Sequence, residues 1–198
     1  MACGLITKGR SLSCNRISGG IKYIYFAVLD QFDQPIETVG LPVSAGEITD
    51  LQMGANDIYR YTMPIGVASA QDQIVGSREN GTVYYTPTVQ VLFNRLSKED
   101  QNEIKLLAAT KLVVFCQLNQ QLTNGHDVII GMGVTNGMEL NAGTINTGAA
   151  WGDKNGYTLT LDGMEQSPFP MVADFTTEPF DQGVAVPGTF VYGTIIDS

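Results

Sequence analysis

Residues 70–93 read AQDQIVGSRENGTVYYTPTVQVLF, and the fold class turns on how they are read. Asn80-Gly81 lies between two runs of strand-forming residues, and Asn-Gly is the pair that best tolerates positive φ in a two-residue turn. The return run alternates. Val83, Tyr85, Val89, Val91 and Phe93 fall on one side, and Thr82, Tyr84, Thr86, Thr88 and Gln90 fall on the other. The pattern predicts a long β-hairpin with one buried and one polar face, long enough to project beyond a compact sandwich. Pro87 has no N–H to give to a ladder, which predicts an edge or a bulge at that point.

Working outward, most segments also read as strand. IKYIYFAVL (21–29) follows Gly19-Gly20 and is apolar on both faces, so it is expected to be covered on both sides. DIYRYTM (57–63) alternates, and TFVYGTII (189–196) makes a last strand. LVVFCQL (112–118) and DVIIGMGV (127–134) are continuous apolar runs of the kind that fill central strands. NTGAAWGDKNGYTLTLDG (146–163) is a turn-rich stretch ending in alternation over 155–163, with Tyr157, Leu159 and Leu161 inward and Thr158, Thr160 and Asp162 outward.

One helix stands out, SKEDQNEIKLLAATK (97–111). Ser97 is its N-cap, Glu99 and Asp100 suit the first turn, and Lys111 closes the last. Its single apolar stripe of Ile104, Leu107 and Ala108 predicts a surface helix lying on a sheet. Residues 1–20 read as an N-terminal arm. Residues 167–188, with Pro168, Pro170, Pro179 and Pro187, read as an extended, irregular connection. The sum is one domain over 1–198, mainly β: an antiparallel sandwich or barrel with one flanking α-helix and a long β-hairpin.

Composition narrows the function. The 198 residues carry 11 basic and 20 acidic side chains, a formal net charge of −9, with no basic run beyond Lys8, Arg10 and Arg16. A protein that grips DNA shows a basic stripe that releases counterions from phosphates, so specific DNA binding is excluded. An acidic wall nevertheless suits a conduit through which DNA slides without sticking. Charged residues are only 16% of the chain, so much of the outer surface is uncharged polar or covered by other chains. Cys3, Cys14 and Cys116 form no CxxC pair, which predicts reduced thiols in a protein made in a cytoplasm, with Cys116 a small core residue. MACGLITKGRSL lacks the apolar stretch of a signal peptide, and no window approaches the roughly 18 apolar residues of a membrane span, so no membrane partner is expected.

Chemistry-bearing patterns are weak. IIGMGVTNG (129–137) resembles a dinucleotide fingerprint, but its third glycine comes one residue late and no helix follows to supply amide donors. These glycines are expected to permit close strand packing or a bulge. His126 is the only histidine, which rules out a multi-histidine metal site; a triad through His126-Asp127 lacks any G-x-S-x-G elbow. Asp30, Asp33, Glu37, Glu47 and Asp50 are expected as solvated loop charges. Trp151, in a Gly-rich loop, is suited to stacking on a sugar, to docking a neighbour or to capping the open end of the sandwich, with burial against a neighbouring chain favoured. Asp153 and Asp162 pose the choice between catalytic carboxylates and a turn that delivers a strand; the turn is expected, with Gly156 taking positive φ. The chain is therefore expected to be no enzyme and to hold no cofactor or metal.

NTGAAWGDKNGYTLTLDGMEQSPFP (146–170) resembles the C-terminal part of bacteriophage virion tail proteins, notably tail tube subunits. CNRISGGIKYIYFAVLD (14–30) is similar to the start of such proteins, an arm followed by the first strand. The resemblance implies a small β-sandwich flanked by a helix, six copies to a ring, and rings stacked into a virion tail tube that passes DNA at infection. It further implies that a hairpin and terminal arms link rings, and that strands from all subunits merge into one inner barrel. Partners are then further copies and other tail proteins. Thr82, Tyr84, Thr86, Thr88, Gln90, Trp151 and Asp153 are the expected assembly or lumen residues. The alternatives are another virion component (terminator, adaptor or head decoration) or a carbohydrate-binding adhesin module.

Overall fold

The structure is a computed structural model that describes residues 10, 17–32, 36–39, 46–51, 56–175, 179–180 and 195–197. The fold is mainly β with one α-helix, as the sequence pattern predicts. In chain order the elements are β1 (Ile21–Val28), β2 (Glu37–Val39), β3 (Glu47–Asp50), β4 (Ile58–Thr62), β5 (Ser69–Ser77), β6 (Thr82–Asn94), α1 (Lys98–Leu107), β7 (Leu112–Gln121), β8 (Asp127–Met132), β9 (Met138–Asn146), β10 (Gly156–Gly163), β11 (Met171–Val172) and β12 (Ile195–Asp197). A 3-10 turn covers Leu29–Gln31.

All the strands belong to one branched sheet with β7 as its hub. Along β1 the sheet continues to β4 and β12; along β8 it continues to β11, β3 and β2. At Leu112↔Met138 β7 also meets β9, and from there the order is β9-β10-β6-β5. The sheet is mixed rather than wholly antiparallel, because β11 runs parallel to β3 and β12 runs parallel to β4.

The apolar runs explain the centre. Leu112 to Gln117 of β7 are all buried. Val114 and Cys116 join Ile24, Phe26 and Ile130 in a cluster that also holds Val89, Val91, Tyr157, Leu159 and Leu161 from the far arm. Val113 and Phe115 face the other way, into a second cluster with Tyr25, Ala27, Ile129, Ile48 and Phe180. Strands buried on both faces need near-continuous hydrophobic sequence, and β1, β7 and β8 have it. Cys116 is fully buried, and burial pushes its thiol up to about 12.

One polar network crosses this region. The Tyr25 hydroxyl donates to Gln117 Oε1 at 2.6 Å, and Gln117 Nε2 donates to Asp127 Oδ2 at 2.8 Å. Lys22 Nζ reaches the same oxygen at 2.8 Å, while Gln121 Nε2 lies 3.4 Å from Oδ1. Burial pushes the Asp127 carboxyl up, but the hydrogen bonds from Lys22 and Gln117 outweigh it and hold the group below the usual carboxylate range.

The fingerprint-like glycines do structural work. A Cβ on Gly131 would meet Ile48 Cδ1 at 2.7 Å. Gly133 and Gly137 have φ of 72° and 82°, and the Gly137 N–H donates to the Gly133 carbonyl at 3.1 Å, closing an excursion between β8 and β9. Glu165 Oε1 caps it by accepting from the Thr135 and Asn136 amides at 3.1 and 3.0 Å.

Several expectations need correction. Helix α1 is capped by Ser97, whose Oγ accepts from the Asp100 amide at 3.0 Å, but it ends at Leu107 and leaves Ala108 exposed as its C-cap. The Leu106 carbonyl accepts from the Ala109 N–H and the Thr110 hydroxyl at 3.1 and 2.8 Å, which satisfies the helix end before Lys111. Ile104 and Leu107 do pack against the core. Pro87 is buried on an inner strand, with β5 on one side; the ladder to β10 breaks there, resuming only at Tyr85↔Glu165. Val83 is exposed, not inward, because the hairpin has run past the core. Glu37, Glu47 and Asp50 lie in β2 and β3 rather than in loops. Of the expected 189–196 strand, 195–196 fall in β12 and the rest lies outside the described residues, as do Asp33, Cys3, Cys14 and most of the 1–20 arm. The Pro-rich segment contributes β11, which joins β8 to β3.

Candidate self-assembly surface

The β9-β10-β6-β5 arm carries the expected polar row. The turn spans Arg78 to Gly81, four residues rather than the two expected, because the last pair is Ser77↔Thr82; Gly81 alone takes positive φ, 65°, and the Asn80 amide donates to Ser77 Oγ at 3.3 Å. Register then pairs Ser77↔Thr82, Val75↔Tyr84, Gln73↔Thr86, Gln71↔Thr88 and Ser69↔Gln90. Directly opposed residues share a face, so the Thr82–Gln90 row is doubled on β5 by Ser69, Gln71, Gln73, Val75 and Ser77. On its other side Thr88↔Asp162 and Gln90↔Thr160 extend the face to β10, and Thr160↔Ala142 and Thr158↔Thr144 carry it to β9. The reverse face of β6 and β10 is core, with Val89, Val91, Leu159 and Leu161 buried.

Charge on the polar face is sparse and partnered. Asn141 Nδ2 donates to Asp162 Oδ2 at 2.9 Å, and the Lys154 ammonium donates to the Thr158 hydroxyl. Lys111 lies 3.8 Å from Glu139 at the rim. An open depression of about 550 Å³ on this face is lined by Thr86, Thr88, Asn141 and Asp162 among others.

Both borders of the arm are open. β5 pairs with β6 and with no other described strand. β9 pairs with β10, and beyond Met138 it has no second described neighbour; Asn141 to Asn146 are exposed. All three pairings in the arm are antiparallel. Its end is also staggered: Asn146, Gly156 and Asn94 are level, whereas β5 begins at Ser69 opposite Gln90, four residues further along β6 (94 to 90).

Residues 147–155 close the β9–β10 hairpin at that end. Asp153 Oδ2 accepts from the Ala150 amide at 2.7 Å and the Ala149 amide at 2.9 Å, and these two bonds, Ala150 first, hold its carboxyl below the usual range. The Asp153 N–H donates back to the Ala150 carbonyl at 3.0 Å. Gly156 has φ 152°, and a Cβ there would lie 2.0 Å from the Phe93 carbonyl oxygen, so only glycine fits. Tyr157, next along, is buried, and its hydroxyl donates to the Ser97 carbonyl at 3.1 Å. Asp153 thus serves the turn. Asp162 stands six residues down β10 from Gly156, roughly 20 Å at about 3.3 Å per residue, too far for a carboxylate pair spaced by about 5–9.5 Å.

The seven expected residues therefore fall in two places. Thr82, Tyr84, Thr86, Thr88 and Gln90 share the polar face. Trp151 and Asp153 lie beyond the opposite end of β6 from Thr82, roughly 40 Å along a strand rising about 3.3 Å per residue. Trp151 projects fully into solvent. The β5 and β9 borders and Gln71 and Gln73 were not marked by the sequence reading; the short side chains of NAGTIN (141–146) give β9 almost no hydrophobic alternation.

The remaining polar groups pair locally. His126 Nδ1 lies 2.8 Å from Asp174 Oδ1, its ring stacks on Phe175 at 4.4 Å, and Asn124 donates to the second Asp174 oxygen. Asp127 turns inward to Lys22 instead, and among the described residues no serine hydroxyl bonds to the histidine ring. Also among the described residues, no cluster of histidine, cysteine and carboxylate side chains suits a metal ion, and no helix is long and apolar enough to cross a membrane. Compared with known protein families, curated proteins and solved structures, the chain matches none.

Proposed function

We propose that this chain is a self-assembling structural subunit of a phage tail tube, working by geometry without chemical catalysis. The observation that carries the reading is the four-stranded arm whose two borders, β5 and β9 beyond Met138, have no second described partner and whose polar face carries little charge. An open strand edge is a template for further backbone. Here β9 and β5 run in opposite directions, so β5 of one copy beside β9 of the next continues the antiparallel order indefinitely. That contact is head-to-tail, and such contacts close into rings when the rotation per copy divides a turn.

The stagger fits closure. A barrel of eight strands with a shear of eight residues tilts its strands by about 36°, or about one residue of offset per strand. Four strands then need an offset of about four residues, and the arm has four, from Asn94 to Gln90. With that offset Ser69 faces the neighbour's Asn146, Gln71 its Thr144 and Gln73 its Ala142, all on the polar face. Six copies, the number the sequence resemblance implies, supply ~24 strands, and barrels of about 16–18 strands already enclose an aqueous channel. The Thr/Gln face then lines the lumen, where DNA phosphates meet no cationic well.

Electron micrographs of purified protein over a concentration series test this. Long tubes or stacked rings are expected; a chain that stays monomeric throughout overturns the reading. Rings that never stack point to a terminator or adaptor. The exposure of Trp151 favours the adhesin reading, which predicts glycan binding by a stable monomer.

A further inference from the structure

We infer that Trp151 of one copy packs on the Pro64–Ile65 turn of the next, forming an apolar clasp at the rim of the assembly. The inference rests on the border-to-border reading above and names the contact that fixes its register. Among the described residues Trp151 and Ile65 are the two most exposed large apolar side chains, at 108% and 96% of full exposure. Each continues one open border beyond the same end of the arm. β9 ends at Asn146 and Trp151 follows five residues later; β5 begins at Ser69 and Ile65 precedes it by four. When Ser69 faces a neighbour's Asn146, these two overhangs are the next parts of the two chains to meet.

Both partners are held in place before they meet. Asp153 staples the Trp151 loop through the Ala149 and Ala150 amides. The Ile65 turn is anchored by buried Met63 and Ala68, with the Met63 N–H donating to the Lys22 carbonyl at 3.1 Å and Gly66 at φ 79° supplying the bend. Preorganised loops lose little freedom on contact, and a tryptophan buries about 150–250 Å² and is among the residue types enriched as interface anchors. Residues 63–71 (MPIGVASAQ) carry no charge; the acidic Asp100 and Glu103 of α1 line a depression on the Pro64 side. Within one copy the two loops sit on opposite borders of the four-stranded arm and cannot serve each other.

Trp151 is the only tryptophan, so its emission reports this site alone. On raising the concentration of the full chain until rings appear in micrographs, the emission should shift to the blue and acrylamide quenching should fall severalfold. Ile65→Asp should raise the concentration for half-assembly about thirtyfold, equivalent to the ~2 kcal/mol that marks an anchor residue. Trp151→Ala should do the same, and the double variant should add little to either. Circular dichroism of the dilute variants checks that the monomer is intact. Rings with water-exposed Trp151 emission, protection that survives Ile65→Asp, or additive single-variant effects each overturn the clasp while leaving border pairing standing. A blue shift produced in dilute monomer by oligosaccharides overturns it in favour of a sugar site. Absence of any assembly overturns both readings.

Discussion

The β1–β7–β8 ribbon and the β9-β10-β6-β5 arm are built from the same secondary structure but face different surroundings. In the ribbon β7 and β1 lie between partners along their length, and both faces are buried; even Gln117 is inside, held by Tyr25 and Asp127. In the arm β5 has no second described neighbour and β9 none beyond Met138, one face is mostly Thr, Gln and Ser, and Trp151, Ile65 and Val83 stand exposed at its ends. The ribbon satisfies its backbone and apolar surface within one chain. The arm leaves backbone donors and acceptors at its borders, which are the groups the proposed assembly would satisfy. Monomer stability and assembly should therefore respond to different substitutions.

Phe115→Ala should have the largest effect. Phe115 is fully buried and meets Phe180 edge-on at 5.2 Å, so truncation should cost about 3–5 kcal/mol in a urea titration. Assembly should then fail only where the monomer itself unfolds. A loss below ~1 kcal/mol would mean that the ribbon is not where stability resides.

Asp127→Asn comes next, at about 1–2 kcal/mol near neutral pH, toward the low end because Lys22 is half exposed and its charge is screened. The Asp127 carboxyl lies below its ordinary value in the folded chain, so its contribution is present above the unfolded pKa, about 3.9, and is lost as pH falls through the folded one. Lys22 is raised by its hydrogen bond to Asp127, so its share holds below about 10.4 and fades as pH rises through its folded value. Thermal unfolding of the parent chain should show both limbs, and Asp127→Asn should flatten the acid one.

This division was only half legible in the sequence. Continuous apolar runs at 112–118 and 127–134 announce strands buried twice over, and Asn80-Gly81 with its alternating flanks announces the hairpin, because local composition directly encodes those environments. The polar row from Thr82 to Gln90 was legible for the same reason. β9 was not, since Ala142, Gly143 and Thr144 are small and lie exposed, leaving no burial pattern to read. Nor was the His126–Asp174 pair, 48 residues apart, where adjacency suggested Asp127. Pro87 signals an edge or a bulge, but a proline also fits an inner strand where one ladder is interrupted. Which borders stay open is a property of topology, and no window of sequence contains it.

The border register itself is testable with charges. Gln71→Asp and Thr144→Asp each leave the monomer unchanged, because both side chains are exposed. Like charges directly opposed across strands are unfavourable and opposite ones favourable, each by roughly 0.2–1 kcal/mol. The Asp/Asp double variant should therefore assemble worse than the sum of the singles, and Gln71→Lys with Thr144→Asp should recover the parent's half-assembly concentration. Rescue by a pair shifted two residues along β9, with none at 144, would replace the proposed four-residue offset.

The smallest effect on the isolated chain is expected for Asp153→Ala. Asp153 is exposed and touches only the Ala149 and Ala150 amides of its own loop, so the urea midpoint should not move. Losing those two bonds frees the loop that carries Trp151, so the concentration for half-assembly should rise, though less than for Trp151→Ala, because the indole remains and only its orientation is lost. The parent loop should hold its shape well into acid, since a carboxyl kept below its usual range keeps accepting those amides until pH falls through its folded pKa. If instead the parent chain hydrolyses a substrate and Asp153→Ala abolishes that while assembly is untouched, the carboxylate is chemical and the arm's architectural role fails with it.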